Sequence, residues 1–503
     1  MADDAAISSC AVPRRGAAAP AVVVLPIVVA ATVGALLLLV GGKLLNDPDT
    51  LWQVTLGNWI VDHRAVPTAD TFSWTFKDAP WMSTQWLAQV LLAQAQTHFG
   101  WAGPVLLTAL AAALTMAILA RFLLEKLAVA PVLVIVTGAL LITAPHLVAR
   151  PHVLALPVMV AWMGLLVRAA DRGGVPPLPA VLLMTLWANL HGGFILGLAL
   201  VAPLGLDATL NAEPGRRAAT FAQWVCFGLV ATVAACANPY GVDAILAALR
   251  IVGLGGALAL IGEWKPQDFS TFSAFEGFLL FAIGFALLRG FALSPLRIVV
   301  LLGFVHMALS HARSGEILGL LAPLLIASPL ARHLGGEPVR MPPWRVQAAA
   351  YGSAFLVLLS IGFAATGVAR YAPDPQRSPA SAVRALKKIA PAHLLNEYDF
   401  GGYLIASGVA PFIDGRTELY GSAFVVRHHR AVTLQDLPDF LRLLDEYKID
   451  ATLLNPRMPA VALLDRLPGW KRAYADDLAV IHVRAPAAAS GGVPLSDNLG
   501  LRR

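Results

Sequence analysis

The stretch PAVVVLPIVVAATVGALLLLVG, residues 20 to 41, decides the fold. It carries no charged side chain and, as a helix, is long enough to cross about 30 Å of hydrocarbon. It exceeds the roughly 7–15-residue apolar core of a cleavable secretion signal, so it predicts a retained first membrane helix. Ahead of it, residues 1 to 19 are polar, Ala-rich and carry Arg14 and Arg15. Behind it, residues 42 to 100 mix Trp, Asp, Pro and Ser with amphipathic stretches and read as a long first loop. Further apolar runs at 102–123, 128–145, 152–168, 176–190, 193–210, 218–237, 272–289, 294–310, 315–331 and 347–369 bring the expected number of spans to eleven. The whole sequence agrees: 57% of its 503 residues are hydrophobic and only 14% charged, against about 25% charged in soluble domains. Mean hydropathy is +0.68. A wholly soluble globule is excluded, and the expected class is a polytopic α-helical membrane protein lying in the lipid bilayer.

The formal charge of +6 and a pI near 9.3 would point to nucleic acid in a soluble chain. Here the basic residues sit in short loops between apolar runs and act as topology determinants, so no nucleic-acid partner is expected. With the N-terminus cytoplasmic, the loops on that side hold Arg14, Arg15, Arg121, Lys126, Arg168, Arg172, Arg216, Arg217, Arg289, Arg332, Arg340 and Arg345. The other side has Arg150, Arg250, Lys265 and Arg313, with Lys43, Arg64 and Lys77 in the long loop. That bias makes 1–19 a cytoplasmic tail and 20–370 the transmembrane domain. An odd number of spans then places the C-terminus outside. Heavy use of Ala, Gly, Pro and Arg suggests a bacterium with a GC-rich genome, hence an inner membrane with the tail in the periplasm.

From about residue 375 the composition becomes that of a soluble α/β unit, 375–485. Residues 379–390 and 436–448 have helical periodicity, Ala451–Leu454 and Leu478–Val483 read as strands, and 486–503 reads as a disordered end. Three cysteines, Cys10, Cys226 and Cys236, exclude a disulfide framework or a Cys-rich metal site.

Given that topology, polar residues gather at the outer edge. Asp47 and Asp49 begin the first outer loop, Arg150 and His152 bracket the second, and Asn189 and His191 occupy the third. Asn238, Tyr240, Glu263, Trp264 and Lys265 follow in the fourth, and His311, Arg313 and Glu316 in the fifth. Polar groups at bilayer depth are costly and face cavities, so their convergence predicts a site open to the outer leaflet. Duller readings stand beside this one. Asp49 precedes an amphipathic helix it would cap, whereas Asp47, just before Pro48, has no capping role. Trp52, Trp59, Trp74, Trp81 and Trp86 suit an interfacial belt as well as a binding groove. Glu263 and Lys265 suit a surface pair, and Arg150 and Arg313 suit lipid headgroups. Phe412-Ile413-Asp414-Gly415-Arg416 reads as a strand ending in a turn, with Asp414 and Arg416 either turn residues or a lip over the cavity. His428 and His429 lack metal-ligand spacing and read as solvated. No Walker motif, GxGxxG or HExxH is present.

An acidic first outer loop, Asn46-Asp47-Pro48-Asp49, directly after the first helix, followed by amphipathic helices, about ten more spans and an extracytoplasmic C-terminal domain, resembles the GT-C glycosyltransferases. More locally, Asp47–Trp52, Asp70-Thr71-Phe72-Ser73, Trp187–Gly193, Asn238-Pro239-Tyr240-Gly241 and Phe412–Arg416 look like segments of a largely uncharacterised bacterial membrane protein group placed near that superfamily. The resemblance implies an enzyme: sugar transfer from a polyprenyl-phosphate donor to an extracytoplasmic acceptor, an envelope glycan, lipid or protein, by an inverting mechanism. It implies Asp47 as the base with Asp49 in support. Arg150 and Arg313 would hold the leaving phosphate, with Trp52, His152, His191, Glu263, His311 and Arg416 completing the substrate site. Some members of the superfamily need a metal and others do not; the expected cofactor is none, with a divalent ion as the alternative. Pro48 separates the two acids, so they need not point the same way. A lipid-linked sugar flippase would require polar groups spread through the bilayer. A non-enzymatic envelope-assembly scaffold would explain the tail but not the polar outer loops.

Overall fold

The computed structural model describes residues 19–253, 255, 260, 262–334, 343–365 and 371–485. Cys10, Arg14, Arg15, Arg340 and the stretch from 486 onward lie outside the described residues. In chain order the helices of the first part are α1 (Ala19–Leu39), α2 (Asp49–His63), α3 (Trp86–Phe99), α4 (Ala102–Leu123), α5 (Val129–Thr143), α6 (Pro151–Asp171), α7 (Val181–Leu190), α8 (Phe194–Ala199), α9 (Val201–Asn211), α10 (Arg217–Ala235), α11 (Asp243–Val252), α12 (Ala274–Arg289), α13 (Pro295–Ser310), α14 (Gly315–Leu334) and α15 (Pro343–Ala365). Among the described residues, seven helical segments are long and apolar enough to cross a membrane: those of α1, α4, α5, α6, α8–α9, α10 and α14. The remaining runs expected to span also form helices. Leu178–Leu190, Pro295–Ser310 and Gln347–Phe363 are apolar but shorter, and α12 has 16 residues.

The bundle is built around α6, whose span is 83% buried, against 28% for those of α5 and α10. It packs on α4, α7, α9 and α14. Polar side chains inside this apolar mass are satisfied locally: the hydroxyls of Thr108, Thr115 and Thr143 each donate to the carbonyl four residues back at 2.7 Å. The 21 residues of α6 rise about 30 Å and hold a charged group at each end. At its C-terminal end, Arg297 of α13 donates to Asp171 at 2.6 Å and to Asp207 of α9 at 2.8 Å. Ser294 and Ser328 donate to the same two carboxylates. Four helices are thereby tied by one closed ion cluster. The N-terminal end of α6 carries Arg150.

The tail unit has four strands, β1 (Leu394–Asn396), β2 (Ala451–Leu454), β3 (Trp470–Ala475) and β4 (Val480–Arg484), in the order β1-β2-β4-β3. β1 and β2 are parallel, the other pairs antiparallel. Helices α16 (Ala380–Ile389) and α17 (Gly401–Ala406) cover one face; α18 (Thr417–Val432), α19 (Leu437–Glu446) and α20 (Pro459–Leu464) cover the other. All four residues of β2 are buried for this reason. The unit is not self-contained. Trp74 and Phe76 of the first loop pack into its core, Trp74 Nε1 donates to the Leu394 carbonyl at 3.0 Å, and Thr75 Oγ1 donates to that of Phe412 at 2.6 Å.

Two readings of the tail are corrected. Phe412–Arg416 is not a strand. Its main chain bonds to the buried amide of Asn396, whose Oδ1 accepts from Phe412 N at 2.7 Å and whose Nδ2 donates to Ile413 O at 2.8 Å. His428 is not solvated: it is buried, and its Nε2 donates to the Asn396 carbonyl at 2.9 Å. Replacing Asn396 by Ala strands these main-chain groups and is expected to lower stability by about 1–3 kcal/mol, read as a lower melting temperature in detergent.

Candidate active site

The first loop begins with a turn that its own sequence dictates. Asp47 Oδ1 accepts from Asp49 N at 3.2 Å, and Asp49 opens α2. Asp47 therefore does take part in capping, a role assigned above to Asp49 alone. Pro48 at the N-cap position does not splay the two carboxyls, because both meet one guanidinium. Arg150, in extended conformation just before α6, donates to both oxygens of Asp47 through Nε and Nη2, the latter at 2.6 Å. Its Nη2 also lies 2.8 Å from Asp49 Oδ2, and its Nη1 donates to Glu263 Oε1 at 2.8 Å. Arg313 donates to the same Glu263 oxygen at 2.9 Å. Glu263 thus pairs with two arginines rather than with Lys265.

Three carboxyls face two guanidiniums, so one proton on the cluster makes it neutral. Asp49 is the acid that takes it: burial, assisted by the neighbouring Asp47, raises it to about 7 against the opposing pull of Arg150. Burial would also raise Glu263, but Arg313 and Arg150 overcome it and hold that acid down at about 2. Arg150 is buried too, yet Asp47, Asp49 and Glu263 push it well above its ordinary range. Trp52 fixes Asp49, donating from Nε1 to Oδ1 at 3.1 Å. Its ring lines a neighbouring cavity of about 480 Å³ together with Trp81, Thr84, Tyr240, Arg250 and Glu418.

The tail closes over this turn. A Cβ on Gly402 would overlap the Pro48 carbonyl, so only glycine permits that backbone approach, and one on Gly415 would displace the Asp49 carboxylate. Around them, Trp52, Leu56 and Ile60 of α2, Trp81 and Ile405 form one apolar cluster. Arg416 does not form a lip over open space. It is fully buried, donating to Asp414 through Nε at 2.8 Å and Nη2 at 2.7 Å, and to Asp70 through Nη1 at 2.5 Å. Its guanidinium lies 4.9 Å from the ring centre of Trp81. Asp70 is itself held by Ser73, and Asp414 by Tyr420. The triad latches the tail to the first loop.

His152 and His191 lie near the guanidiniums with ring centres 6.2 Å apart. His311 is turned aside, its Nδ1 2.8 Å from the Trp264 carbonyl. Asn189 is structural, bonded to Trp86, Thr185 and Ala237. Of the first-loop tryptophans, Trp52 and Trp81 are buried, Trp74 enters the tail core and Trp86 is tied to Asn189, whereas Trp59 is half-buried and stacks on His63. The sequence does not mark Asp70 or Asn396 as structural anchors, whereas a groove lined by the first-loop tryptophans is expected from it, and Trp52 and Trp81 do line a cavity. Among the described residues no three His, Cys, Asp or Glu side chains form a group able to hold a metal ion.

No family model matches the chain, and no curated protein matches its sequence. Among solved structures it is similar to ArnT from Cupriavidus metallidurans bound to undecaprenyl phosphate, with 15% sequence identity and a TM-score of 0.46 over 95% of this chain and 100% of that one.

Proposed function

We propose that the chain is a membrane glycosyltransferase that moves a sugar from a polyprenyl-phosphate donor to an acceptor hydroxyl at the non-cytosolic face. The observation that carries the reading is the cluster itself: two guanidiniums and three carboxyls share one end of the bundle, next to an aromatic-lined cavity. The donor class comes from the resemblance of the acidic first loop.

In this reading the roles of the two acids are the reverse of the sequence-based expectation. Asp47 is engaged through both oxygens by Arg150 and serves to orient it, whereas Asp49, at about 7, is matched to accept a proton at working pH. The acceptor enters past Trp52, and its hydroxyl gives its proton to Asp49. The oxygen attacks the anomeric carbon as the bond from that carbon to the phosphate oxygen breaks. The departing phosphate keeps the bonding pair and gains one negative charge, taken up by Arg150 and Arg313 in exchange for Glu263. No other reactant is required.

Membranes containing the overproduced chain should incorporate label from a polyprenyl-phosphate sugar into endogenous acceptor. Arg313→Gln, which removes the guanidinium that pairs with Glu263 while Arg150 still holds that acid, is expected to lower that rate by about 10²-fold with little change in stability. Incorporation indistinguishable between wild type, Arg313→Gln and an empty-vector membrane rejects the reading.

A further inference from the structure

We propose that His152 and His191 together bind one hydroxyl of the ligand held by Arg150 and Arg313, His191 donating to it and His152 accepting from it. The tautomers follow from bonds already made. His152 Nε2 lies 3.1 Å from the His146 carbonyl. A carbonyl only accepts, so Nε2 carries the hydrogen and Nδ1 is a bare acceptor. That Nδ1 is buried and has no hydrogen-bond partner among the described residues. His191 is the converse case. Its Nδ1 accepts from Gly193 N at 3.0 Å, which leaves the hydrogen on Nε2. Burial, with Arg313 nearby, holds His191 down at about 3, so the ring is neutral and keeps this polarity.

One buried ring thus offers an acceptor and its neighbour a donor. No hydrogen bond joins them, and ring centres 6.2 Å apart suit two hydrogen bonds of about 2.8 Å meeting at one oxygen. A hydroxyl oxygen is the group that accepts one bond while donating another. A second buried atom without a hydrogen-bond partner, Oε2 of Glu316, stands 4.0 Å from His152 Nε2, on the side of the ring that faces the His146 carbonyl. His152 and Glu316 are only 4% and 6% exposed. Unpaired polar atoms this deep are uncommon and mark a place completed by something else. His152 sits two residues beyond Arg150, and both imidazoles lie close enough to Arg313 to feel its charge, so the pair stands beside the guanidiniums assigned to the phosphate. The chemistry selected is a polyhydroxylated group esterified to phosphate, which names the ligand part that this pair reads. The inference rests on the phosphate-carrier reading above.

The hydroxyl has two sources, bound water or the sugar, and one experiment separates them. Dissociation constants are measured on the purified full chain in detergent for undecaprenyl phosphate, for its glucosyl, mannosyl and N-acetylglucosaminyl esters, and for the matching monodeoxy esters. Wild type should bind at least one glycosyl ester about 10- to 100-fold more tightly than a deoxy counterpart. His152→Gln, which keeps a donor for His146 but loses the acceptor at Nδ1, and His191→Phe should abolish that preference while binding undecaprenyl phosphate as wild type does. His152→Asn, which restores a polar atom near Nδ1, should recover part of it. A preference that survives in both variants assigns the oxygen to water and overturns the proposal, as does equal weakening of every ligand, which makes the pair structural. Tight binding of the carrier with no preference for any hydroxyl also overturns it and leaves the carrier reading intact. Failure of wild type to bind undecaprenyl phosphate rejects the carrier reading itself and removes this one with it.

Discussion

Arg416→Met is expected to destabilise the protein by about 3–5 kcal/mol and to free the tail from the first loop. The guanidinium is fully buried and balances two carboxylates, Asp414 and Asp70, that are themselves fully buried. Removing it strands both, and neither reaches water. Asp70 is in addition the organiser of its own turn, accepting from Phe72 N and Ser73 N at 3.0 Å, so the loop that carries Trp74 and Phe76 into the tail core loosens too. The check is melting in detergent combined with limited proteolysis, where new cleavage should fall within residues 64–85. The triple substitution Asp70→Leu, Asp414→Leu, Arg416→Met removes the charges together and should melt higher than Arg416→Met alone, because the large loss comes from the unpaired carboxylates rather than from the missing attraction. Equal melting of the single variant and wild type would show that the triad is not the latch described here.

Asp49→Asn is expected to lower the rate of sugar transfer by about 10²- to 10⁴-fold, the range for loss of a positioned general base. The pH profile carries more information than the loss. A base works only when deprotonated, and Asp49 lies near 7. The wild-type rate should therefore rise with pH through that value and level off above it. Asn cannot be protonated in this range, so the residual activity of the variant should lack the rise. Asp47→Asn should behave differently. It removes a charged partner from Arg150 and should weaken donor binding, while the rise near pH 7 persists or moves downward because a neighbouring negative charge no longer raises Asp49. A profile unchanged in Asp49→Asn would transfer the role of base to another group.

The bundle was legible in the sequence because each apolar run states its own length, and the acid turn was legible because Asp47, Pro48 and Asp49 are adjacent. Arg150 and Arg313 were within reach as charged residues of the short connections that lead into α6 and α14. What escaped is long-range. Asp70 and Arg416 are 346 residues apart, and nothing local marks either as half of a pair. Nothing local marks Asn396 until Phe412 and Ile413 come back to it, and the β-like composition of Phe412–Arg416 suggests a strand where a side-chain amide has taken over the pairing. β3 was missed because Lys471 and Arg472 face solvent and break the alternation expected of a strand. Asp49 shows a further limit: its charge state depends on a guanidinium supplied from another helix and on burial by a domain more than 350 residues downstream.

That last dependence sets an order on biogenesis. The ribosome delivers Asp47, Asp49 and Asp70 early, yet their cover, Gly402, Gly415 and Arg416, emerges only after α15 has been made. A chain cut short before residue 402 should therefore leave Asp47, Asp49 and Asp70 without the residues that cover them in the finished fold.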